Sequence, residues 1–233
     1  MRQKLGQHFL ISEKALDRTA TAACGDRVPL AVEIGPGRGA LTEKLVARAD
    51  RVVAIELDAG LSAQLRTRWP AVTLVEGNAL DVDWGQWGAG VLAGNLPYYV
   101  ATPIISKYLR APAALRRAVF LIQKEVAARI TAKPGSRDYG YFSVECQLLA
   151  ETEYLFTVPP GAFRPPPKVE SAVIRLTPRS EIAVPDIEGF LAFASACFRQ
   201  KRKTLANNLR ALYGAHPELS RRAEQLSVEE LIA

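Results

Sequence analysis

The stretch Val32-Glu33-Ile34-Gly35-Pro36-Gly37-Arg38-Gly39 stands between a short apolar run, residues 30–34, and a helical pattern over residues 40–49. Glycines at the end of a strand let the backbone approach a ligand closely at the carboxyl edge of a parallel sheet. Further apolar runs predict strands at 52–55, 72–75, 91–93 and 118–122, separated by predicted helices at 59–68, 103–109 and 125–131. This alternation is typical of βαβ units, and it predicts an α/β fold with a doubly wound, Rossmann-like sheet.

The pattern changes in the last third of the chain. Apolar runs predict two later strands at 154–158 and 169–176, joined by a proline-rich loop, and beyond Pro185 only helical periodicity remains. This change indicates a domain boundary. We therefore expect a catalytic domain over residues 1–180 and a small helical C-terminal domain over residues 181–233.

The basic charge of the chain is concentrated in two places. The net charge is +6, and residues 96–140 hold eight basic but only two acidic side chains. A second cluster, Arg199, Lys201, Arg202 and Lys203, lies near the C-terminus. Such segregation favours an anionic partner such as a nucleic acid, and a solvated helix face is the alternative.

Cysteine and histidine usage argues against disulfide and metal chemistry. The three cysteines, Cys24, Cys146 and Cys197, are far apart and predict reduced core thiols of a cytoplasmic protein. Two histidines leave little from which a metal site could be built, so we expect no metal. No stretch reaches the length of a membrane-spanning helix, so we expect no membrane segment. The absence of heptads and of a long apolar edge strand favours a monomer.

Two acidic residues accompany the glycine loop. Glu56 ends the second predicted strand, where a carboxylate can accept hydrogen bonds from both ribose hydroxyls of an adenosyl ligand. The spacing Gly35-x-Gly37-x-x-Ala40 also fits a dinucleotide-binding fingerprint, so a nicotinamide-dependent oxidoreductase remains an alternative at this point. Glu33 favours another ligand, because its carboxylate would repel a pyrophosphate and suits a cationic molecule such as S-adenosylmethionine.

The motif Asn95-Leu96-Pro97-Tyr98 follows the fourth predicted strand and suits methylation of an amino group on a nucleobase. The N6 lone pair of adenine is delocalised into the ring and is a poor nucleophile. Hydrogen bonds from that amino group to the Asn95 side-chain oxygen and the Pro97 backbone carbonyl would localise the lone pair. Tyr98 can stack on an extruded base, an interaction worth roughly 1–3 kcal/mol. Catalysis then depends largely on proximity and orientation, with no general base required.

Six motifs, in order along the chain, resemble the ribosomal RNA adenine N6-dimethyltransferase family. They are residues 4–10, Glu33-x-Gly35-x-Gly37-x-Gly39, Glu56-x-Asp58, Asn95-Leu96-Pro97-Tyr98, residues 158–172 and residues 198–205 with Asn208-Leu209. The resemblance covers nearly the whole chain. It implies a Rossmann-like class I methyltransferase with a small helical C-terminal domain, and S-adenosylmethionine as the cofactor. The first and fifth motifs resemble most the branch that dimethylates two adjacent adenosines in the 3′-terminal hairpin loop of small-subunit (16S) rRNA within a 30S precursor.

The resemblance also implies roles for individual residues. The cofactor would contact Gln7, His8, Leu10, Glu33, Gly35, Gly37, Glu56, Asn78, Ala79 and Asn95. Asn95, Pro97 and Tyr98 would be catalytic, and the RNA substrate would meet Tyr98, Phe163, Arg199, Lys201, Arg202 and Lys203. The residues 4–10 belong to a segment that folds over the cofactor in this family.

Two departures and three alternatives accompany this interpretation. The family usually has Asp at position 78, where this chain has Asn78, and often Asn at position 99, where it has Tyr99. An amide at 78 keeps a hydrogen-bond acceptor but loses the charge, which puts cofactor affinity in question. The alternatives are a large-subunit rRNA methyltransferase of the antibiotic-resistance type, a protein-glutamine or DNA-adenine methyltransferase, and a non-enzymatic ribosome-assembly factor.

Overall fold

The computed structural model describes residues 8–110, 114–216 and 218–233, and its centre is a seven-stranded sheet. The strands along the chain are β1 (Phe9–Leu10), β2 (Val28–Ile34), β3 (Ala49–Glu56), β4 (Thr73–Glu76), β5 (Gly90–Asn95), β6 (Leu115–Gln123), β7 (Ala150–Val158), β8 (Phe163–Arg164) and β9 (Ser171–Pro178). The order across the large sheet is β4-β3-β2-β5-β6-β9-β7. The remaining two strands, β1 and β8, form a separate antiparallel pair.

Helices follow most of the parallel strands. They are α1 (Glu13–Cys24), α2 (Ala40–Val46), α3 (Ala59–Arg68), α4 (Ala101–Arg110), α5 (Lys124–Ile130), α6 (Tyr141–Leu149), α7 (Ile187–Cys197), α8 (Leu205–Tyr213) and α9 (Val228–Ile232). The Ser12 hydroxyl caps α1 by accepting from Ala15 N–H, and Asp58 caps α3 in the same way, because both side chains satisfy free N–H groups of a first turn. Both ends of the helix predicted at residues 59–68 are confirmed by α3.

The order in which the chain adds strands to the sheet reverses at β2, although β2 and β5 are parallel. From β2 the strands progress outward to β3 and β4, and the chain then returns to place β5 on the other side of β2. The pairs β2–β3, β3–β4, β2–β5 and β5–β6 are parallel, so their carboxyl ends lie at one edge. In such sheets a ligand crevice forms outside the strand ends at this reversal. The doubly wound α/β fold is confirmed, and β9 extends it by an antiparallel pairing with β6.

Three local features differ from the sequence-based predictions. The helix expected to reach residue 49 ends at Val46, because Ala49 already pairs with Val28 as the first residue of β3. The helix α6 was not predicted, since its residues are nearly all apolar or buried and show no clear amphipathic period. The short strand pair β1–β8 joins segments about 150 residues apart, and no local pattern encodes such a pairing.

The described chain divides into two compact units. The first contains the described residues up to Ala127 together with Glu153–Pro178, and the second contains Ala128–Thr152 and Arg179–Ala233. The core of the first unit includes buried side chains from α1, α2 and the sheet, among them Leu45, Val119 and Phe163. In the second unit α6 packs with α7 and α9, which explains why residues 128–152 group with the C-terminal helices. The functional division at residue 180 stays a prediction.

Candidate active site

A cavity of about 370 Å³ lies at the carboxyl edge of the sheet, in the first unit. This volume is within the range of about 300–1,000 Å³ that is usual for small-molecule sites. Its walls include ten residues predicted to bind cofactor or substrate: His8, Leu10, Glu33, Gly35, Gly37, Glu56, Asn95, Pro97, Tyr98 and Phe163. The structure therefore brings together side chains from the N-terminus, the glycine loop and three strand ends.

The glycine loop lines the cavity with backbone atoms. Gly37 has φ +57° and Gly39 has φ +81°, values that side-chain-bearing residues rarely adopt. A methyl group on Gly37 would lie 3.1 Å from the ring of Phe9, and one on Gly39 would lie 2.9 Å from Leu65 and from Trp69. Both glycines are therefore required by conformation and by space, and the loop can approach a ligand with its main chain.

The carboxylate of Glu56 holds the glycine loop against the next strand end. Its Oε2 accepts from Gly37 N–H at 3.0 Å, and its Oε1 accepts from Asp58 N–H at 2.9 Å. The side chain is 4% exposed, so these two bonds also satisfy a buried charge. Each carboxylate oxygen has further lone pairs, and Glu56 lines the cavity, so it can still accept from a ligand hydroxyl.

Glu33 is more deeply buried than Glu56. It is 1% exposed, and its Oε2 accepts from the Thr42 hydroxyl at 2.6 Å. Burial raises the pKa of the Glu33 carboxyl to about 8; the Thr42 bond opposes this rise and the nearby Glu56 adds to it. A bound cation would favour the ionised form, so the site is electrostatically suited to a positively charged ligand. Sequence reasoning missed Thr42, which gives no motif signal.

Asn95, at the end of β5, links that strand to the N-terminal segment. Its Nδ2 donates to the backbone carbonyl of His8 at 3.0 Å. Since this bond uses the amide nitrogen, the Oδ1 atom of the same side chain is left as the acceptor. The His8 ring in turn has its Nδ1 2.8 Å from the carbonyl of Pro165. Asn95 is thus oriented by His8, whose ring in turn contacts the distant loop at Pro165.

The segment after His8 crosses the glycine loop. Phe9 pairs with Arg164 and Leu10 with Phe163 in the β1–β8 sheet, and the Arg38 guanidinium lies 4.5 Å from the centre of the Phe9 ring. These contacts hold β1 over the cavity. That this segment covers the cofactor stays a prediction. Gln7, also predicted to bind the cofactor, lies outside the described residues.

Pro97 and Tyr98 continue from Asn95 along the cavity wall. The Pro97 carbonyl already accepts from Val100 N–H at 3.0 Å, which fixes the turn and leaves a second lone pair on that oxygen. The Tyr98 hydroxyl lies 2.8 Å from Ser171 Oγ, and its ring centre lies 6.0 Å from that of His8. Tyr98 is therefore held at both its hydroxyl and its ring.

Other predicted residues are placed differently. Asn78 closes a turn on itself, since its Oδ1 accepts from Leu80 N–H and its Nδ2 donates to Asp81, and neither Asn78 nor Ala79 is among the described residues that line the cavity. Phe163 lines the cavity but is only 2% exposed, so most of its surface packs in the core. Their roles toward cofactor and base stay predictions.

Sequence reasoning missed Lys107, which organises the loop after β4. Its Nζ donates to the carbonyls of Ala79, Leu80 and Val82 at 3.2, 2.7 and 2.6 Å, and it lies 4.6 Å from the centre of the Trp84 ring. Burial lowers the pKa of Lys107. A signal was available: Lys107 lies three residues after buried Ile104, on the apolar stripe of α4.

The predicted basic cluster lies in the second unit, in the turn between α7 and α8. Arg199, Lys201, Arg202 and Lys203 are all exposed. The turn is pinned from beneath by buried Asn208, whose Nδ2 donates to the carbonyls of Cys197 and Gln200 and whose Oδ1 accepts from Gln200 N–H. Lys201 also contacts Glu224 and the Arg137 carbonyl. The turn, hereafter the basic turn (residues 199–203), presents charge on a fixed backbone.

The described residues contain neither a candidate metal site nor a candidate membrane-spanning helix. Within residues 8–110, 114–216 and 218–233, no three His, Cys, Asp or Glu side chains are grouped so that they could hold a metal ion. No helix in the same ranges has the length and apolar character needed to cross a membrane. The three cysteines are buried, as predicted.

Comparison with known sequences gives a consistent set of matches. The model of the family described as ribosomal RNA adenine dimethylase matches residues 1–230. A protein of Acidobacterium capsulatum named ribosomal RNA small subunit methyltransferase A is 45% identical, over 99% of this chain and 88% of that protein. A protein of the same name from Chlorobium chlorochromatii is 39% identical, over 99% of this chain and 91% of that protein.

Solved structures agree on the fold. A dimethyladenosine transferase from Plasmodium falciparum superposes with a TM-score of 0.85 at 23% identity, covering 97% of this chain and 95% of that one. The 23S rRNA methyltransferase ErmE superposes with a TM-score of 0.77 at 26% identity, covering 96% and 97%. Both likenesses span the described fold from the glycine loop to the C-terminal helices.

Proposed function

This chain belongs to the ribosomal RNA adenine dimethylase family, and on that premise we propose that it dimethylates N6 of two adjacent adenosines in small-subunit rRNA. S-adenosylmethionine is the methyl donor. The relatives at 45% and 39% identity are both named ribosomal RNA small subunit methyltransferase A, and each is covered over most of its length. This favours the small-subunit branch over the large-subunit branch that ErmE represents.

The cavity residues fit S-adenosylmethionine better than a dinucleotide. Glu33 and Glu56 both line the cavity, and a buried acid beside the glycine loop, which a bound cation would ionise, favours a cationic ligand over a pyrophosphate. The cofactor supplies an electrophilic methyl group on a sulfonium. Glu33 would attract its ammonium end, Glu56 would accept from its ribose, and the N-terminal strand β1 would exclude water from it.

The target adenosine is activated by hydrogen bonds rather than by a base. In the first transfer, Asn95 Oδ1 and the free lone pair of the Pro97 carbonyl would accept the two N6 hydrogens, which draws the nitrogen lone pair out of conjugation. N6 loses one of these protons when it gains a methyl group, and the remaining N–H keeps one of the two acceptors for the second transfer. Tyr98 stacks on the flipped base. Its hydroxyl bond to Ser171 holds the ring in place, so little conformational entropy is lost on stacking. Phe163 is a packed part of the cavity wall.

The basic turn supplies affinity for the RNA backbone. Arg199, Arg202 and Lys203 are exposed, and Asn208 fixes their backbone, so they can meet phosphates with little reorganisation. Lys201 is exposed too, but it would first have to leave Glu224 and the Arg137 carbonyl. Contacts of this kind release counterions and are therefore sensitive to salt. We assign catalysis to residues 1–180 and RNA binding by the basic turn to residues 181–233. The expected substrate is a 30S precursor, because its hairpin loop offers unpaired adenosines that are easily flipped.

The observation that carries this proposal is the orientation of Asn95. Its amide nitrogen is bonded to the His8 carbonyl inside a cavity walled by the glycine loop, so its oxygen is the atom left to accept from an amino group. A site for hydride transfer would not need a hydrogen-bond acceptor for an amino group beside the cavity that holds the cofactor.

The test is methyl transfer from labelled S-adenosylmethionine to undermethylated small subunits, with large subunits and naked rRNA in parallel. The modified nucleoside is identified by digestion and mass spectrometry. The proposal predicts dimethyladenosine from small subunits alone. Label in large-subunit RNA would assign the chain to the resistance-type branch. Cofactor binding without label in any RNA would instead indicate an assembly factor.

A further inference from the structure

A second groove, of about 560 Å³, shares a wall with the catalytic cavity. One side is formed by residues 11–18, at the start of α1, and the other by residues 156–162. Ile11 lines both the groove and the cavity, and its backbone N–H donates to the Ala162 carbonyl at 2.8 Å. Its side chain is 46% exposed. A ligand strand that leaves the cavity past Ile11 therefore enters the groove directly.

The groove is positively charged. Lys14 and Arg18 are four residues apart on α1, so they project from the same face, and both line the groove. The acids of this helix, Glu13 and Asp17, are instead engaged by Lys44, which lies 2.6 and 3.7 Å from them. In the part of the chain that the structure describes, no carboxylate pairs with Lys14 or Arg18. Two cations thus lie beside the catalytic cavity without neutralising partners.

Arg18 is also held in place before any ligand arrives. Its guanidinium carbon lies 3.7 Å from the centre of the Phe156 ring, a stacked cation–π arrangement. Stacking on an aromatic face leaves the N–H groups at the edge of the guanidinium available, and these match a phosphate in a bidentate manner. The groove therefore has three features: Arg18 as a preorganised hydrogen-bond donor to a phosphate, Lys14 as a flexible second cation, and Ile11 as an apolar surface.

We propose that this groove binds the nucleotides that flank the target adenosine, with their phosphates on Lys14 and Arg18 and a base against Ile11. The inference rests on the proposed function, because it takes RNA as the substrate. A base inserted into the cavity must leave its neighbours outside, and the strand that carries them must follow an anion-attracting surface from the cavity mouth. The groove is such a surface, and it begins at a residue that the two sites share.

The test compares two doubly substituted proteins that lose the same charge. Lys14→Gln/Arg18→Gln removes both groove cations. Arg27→Gln/Arg51→Gln removes two exposed cations at the amino-terminal ends of β2 and β3, the opposite edge of the sheet from the cavity. For each protein we would measure S-adenosylmethionine affinity, kcat and KM with small subunits, and direct binding of an RNA hairpin carrying the target loop at several salt concentrations.

The groove variant should raise the KM for RNA about tenfold, with kcat and cofactor affinity within about twofold of the unsubstituted chain. Its plot of log affinity against log salt should be shallower by about 1.4, since each phosphate contact on a single strand contributes about 0.7. The control should match the unsubstituted chain. Arg18→Lys should keep the salt slope but bind more weakly, because it keeps the charge and loses the stacked fork.

Equal KM and equal salt slope in the two double variants would overturn the proposal. This outcome differs from failure of the proposed function, in which the unsubstituted chain itself transfers no methyl group. In that case the binding titration still decides the matter, because it requires no catalysis. A groove variant with altered kcat but unchanged RNA affinity would also overturn it, since that would place Lys14 or Arg18 in the chemistry instead of on the flanking strand.

Discussion

The catalytic cavity and the basic turn use polar side chains in opposite ways. In the cavity, Glu33, Glu56 and Asn95 are each bonded to named protein groups and are largely withdrawn from water. In the basic turn the backbone is pinned by Asn208, while the charged side chains stay exposed. Buried, oriented groups act through geometry, and exposed charges act through a screened field. Single substitutions should therefore have large effects in the first region and small, salt-dependent effects in the second.

Asn95→Ala should give the largest effect. It removes the acceptor for the N6 amino group and the bond to the His8 carbonyl, so kcat should fall by at least about 100- to 1,000-fold, the cost typical of a lost polar group that stabilises a transition state. RNA affinity should change little. The measurement is single-turnover methyl transfer with a parallel binding titration. Asn207→Ala, at an exposed position on α8, is the matched control. An equal fall in kcat in this control would contradict the contrast between the cavity and the exposed surface.

Gly37→Ala should weaken cofactor binding by roughly tenfold or more. The residue has φ +57°, and the added methyl would lie 3.1 Å from Phe9, so either the loop or the covering strand β1 must shift. Calorimetric titration with S-adenosylmethionine measures the change. Gly161→Ala is the control, because nothing lies within 4 Å of a methyl group there. Cofactor affinity as in the unsubstituted chain would show that the loop geometry is not needed.

Asn208→Ala tests the pinned backbone of the second region. It removes three hydrogen bonds to Cys197 and Gln200 and leaves buried backbone groups without partners, which should cost about 1–3 kcal/mol of stability. Urea unfolding measures this, with Asn207→Ala as control. RNA affinity should fall as the turn loosens, whereas cofactor affinity should not. A loss of cofactor binding instead would mean that the two regions are not independent.

Glu33→Gln should change the pH dependence of stability. Burial raises the pKa of this carboxyl from 4.5 to about 8, so between these values the folded chain holds a proton that the unfolded chain has released. Stability due to this group therefore falls as pH rises through that window, and the variant should lose this slope. Thermal unfolding from about pH 5 to about pH 8 measures it. Exposed Glu181→Gln should keep the slope, and cofactor affinity should drop only in the Glu33 variant.

Arg202→Gln should give the smallest effect. One exposed charge of the basic turn is lost, so RNA affinity should fall about two- to threefold, and the salt slope should decrease by about 0.7 to 0.9. Lys168→Gln, an exposed charge on the loop before β9, is the comparison in the first unit. A tenfold loss that persists at high salt would mean that Arg202 makes an oriented contact and would break the contrast with the cavity.

Much of the fold was predictable because its signals are local. Ser12 and Asp58 cap their helices through bonds to N–H groups at most three residues away, and the glycine loop lies between a predicted strand and a predicted helix. Apart from Asn78 and Ala79, the predicted site residues from Glu33 to Tyr98 line one cavity, because they lie at or just after the carboxyl ends of parallel strands and those ends meet at one edge. Sequence reasoning counted Lys107 only among the basic residues of 96–140 and did not name Thr42, since neither a lysine within an apolar stripe nor a lone threonine forms a motif.

The amino-acid sequence by itself determined the chemistry of this protein. It supplied the acids beside the glycine loop, the amide of Asn95 and the ring of Tyr98 after the fourth predicted strand, and the charges of the basic turn. Residue type and spacing carry that information. Only the tertiary structure decided that His8 orients the Asn95 amide, that β1 pairs with β8 across the cavity, and that Ile11 joins the cavity to a groove lined by Lys14 and Arg18. These contacts join segments distant along the chain, and packing rather than local propensity selects them.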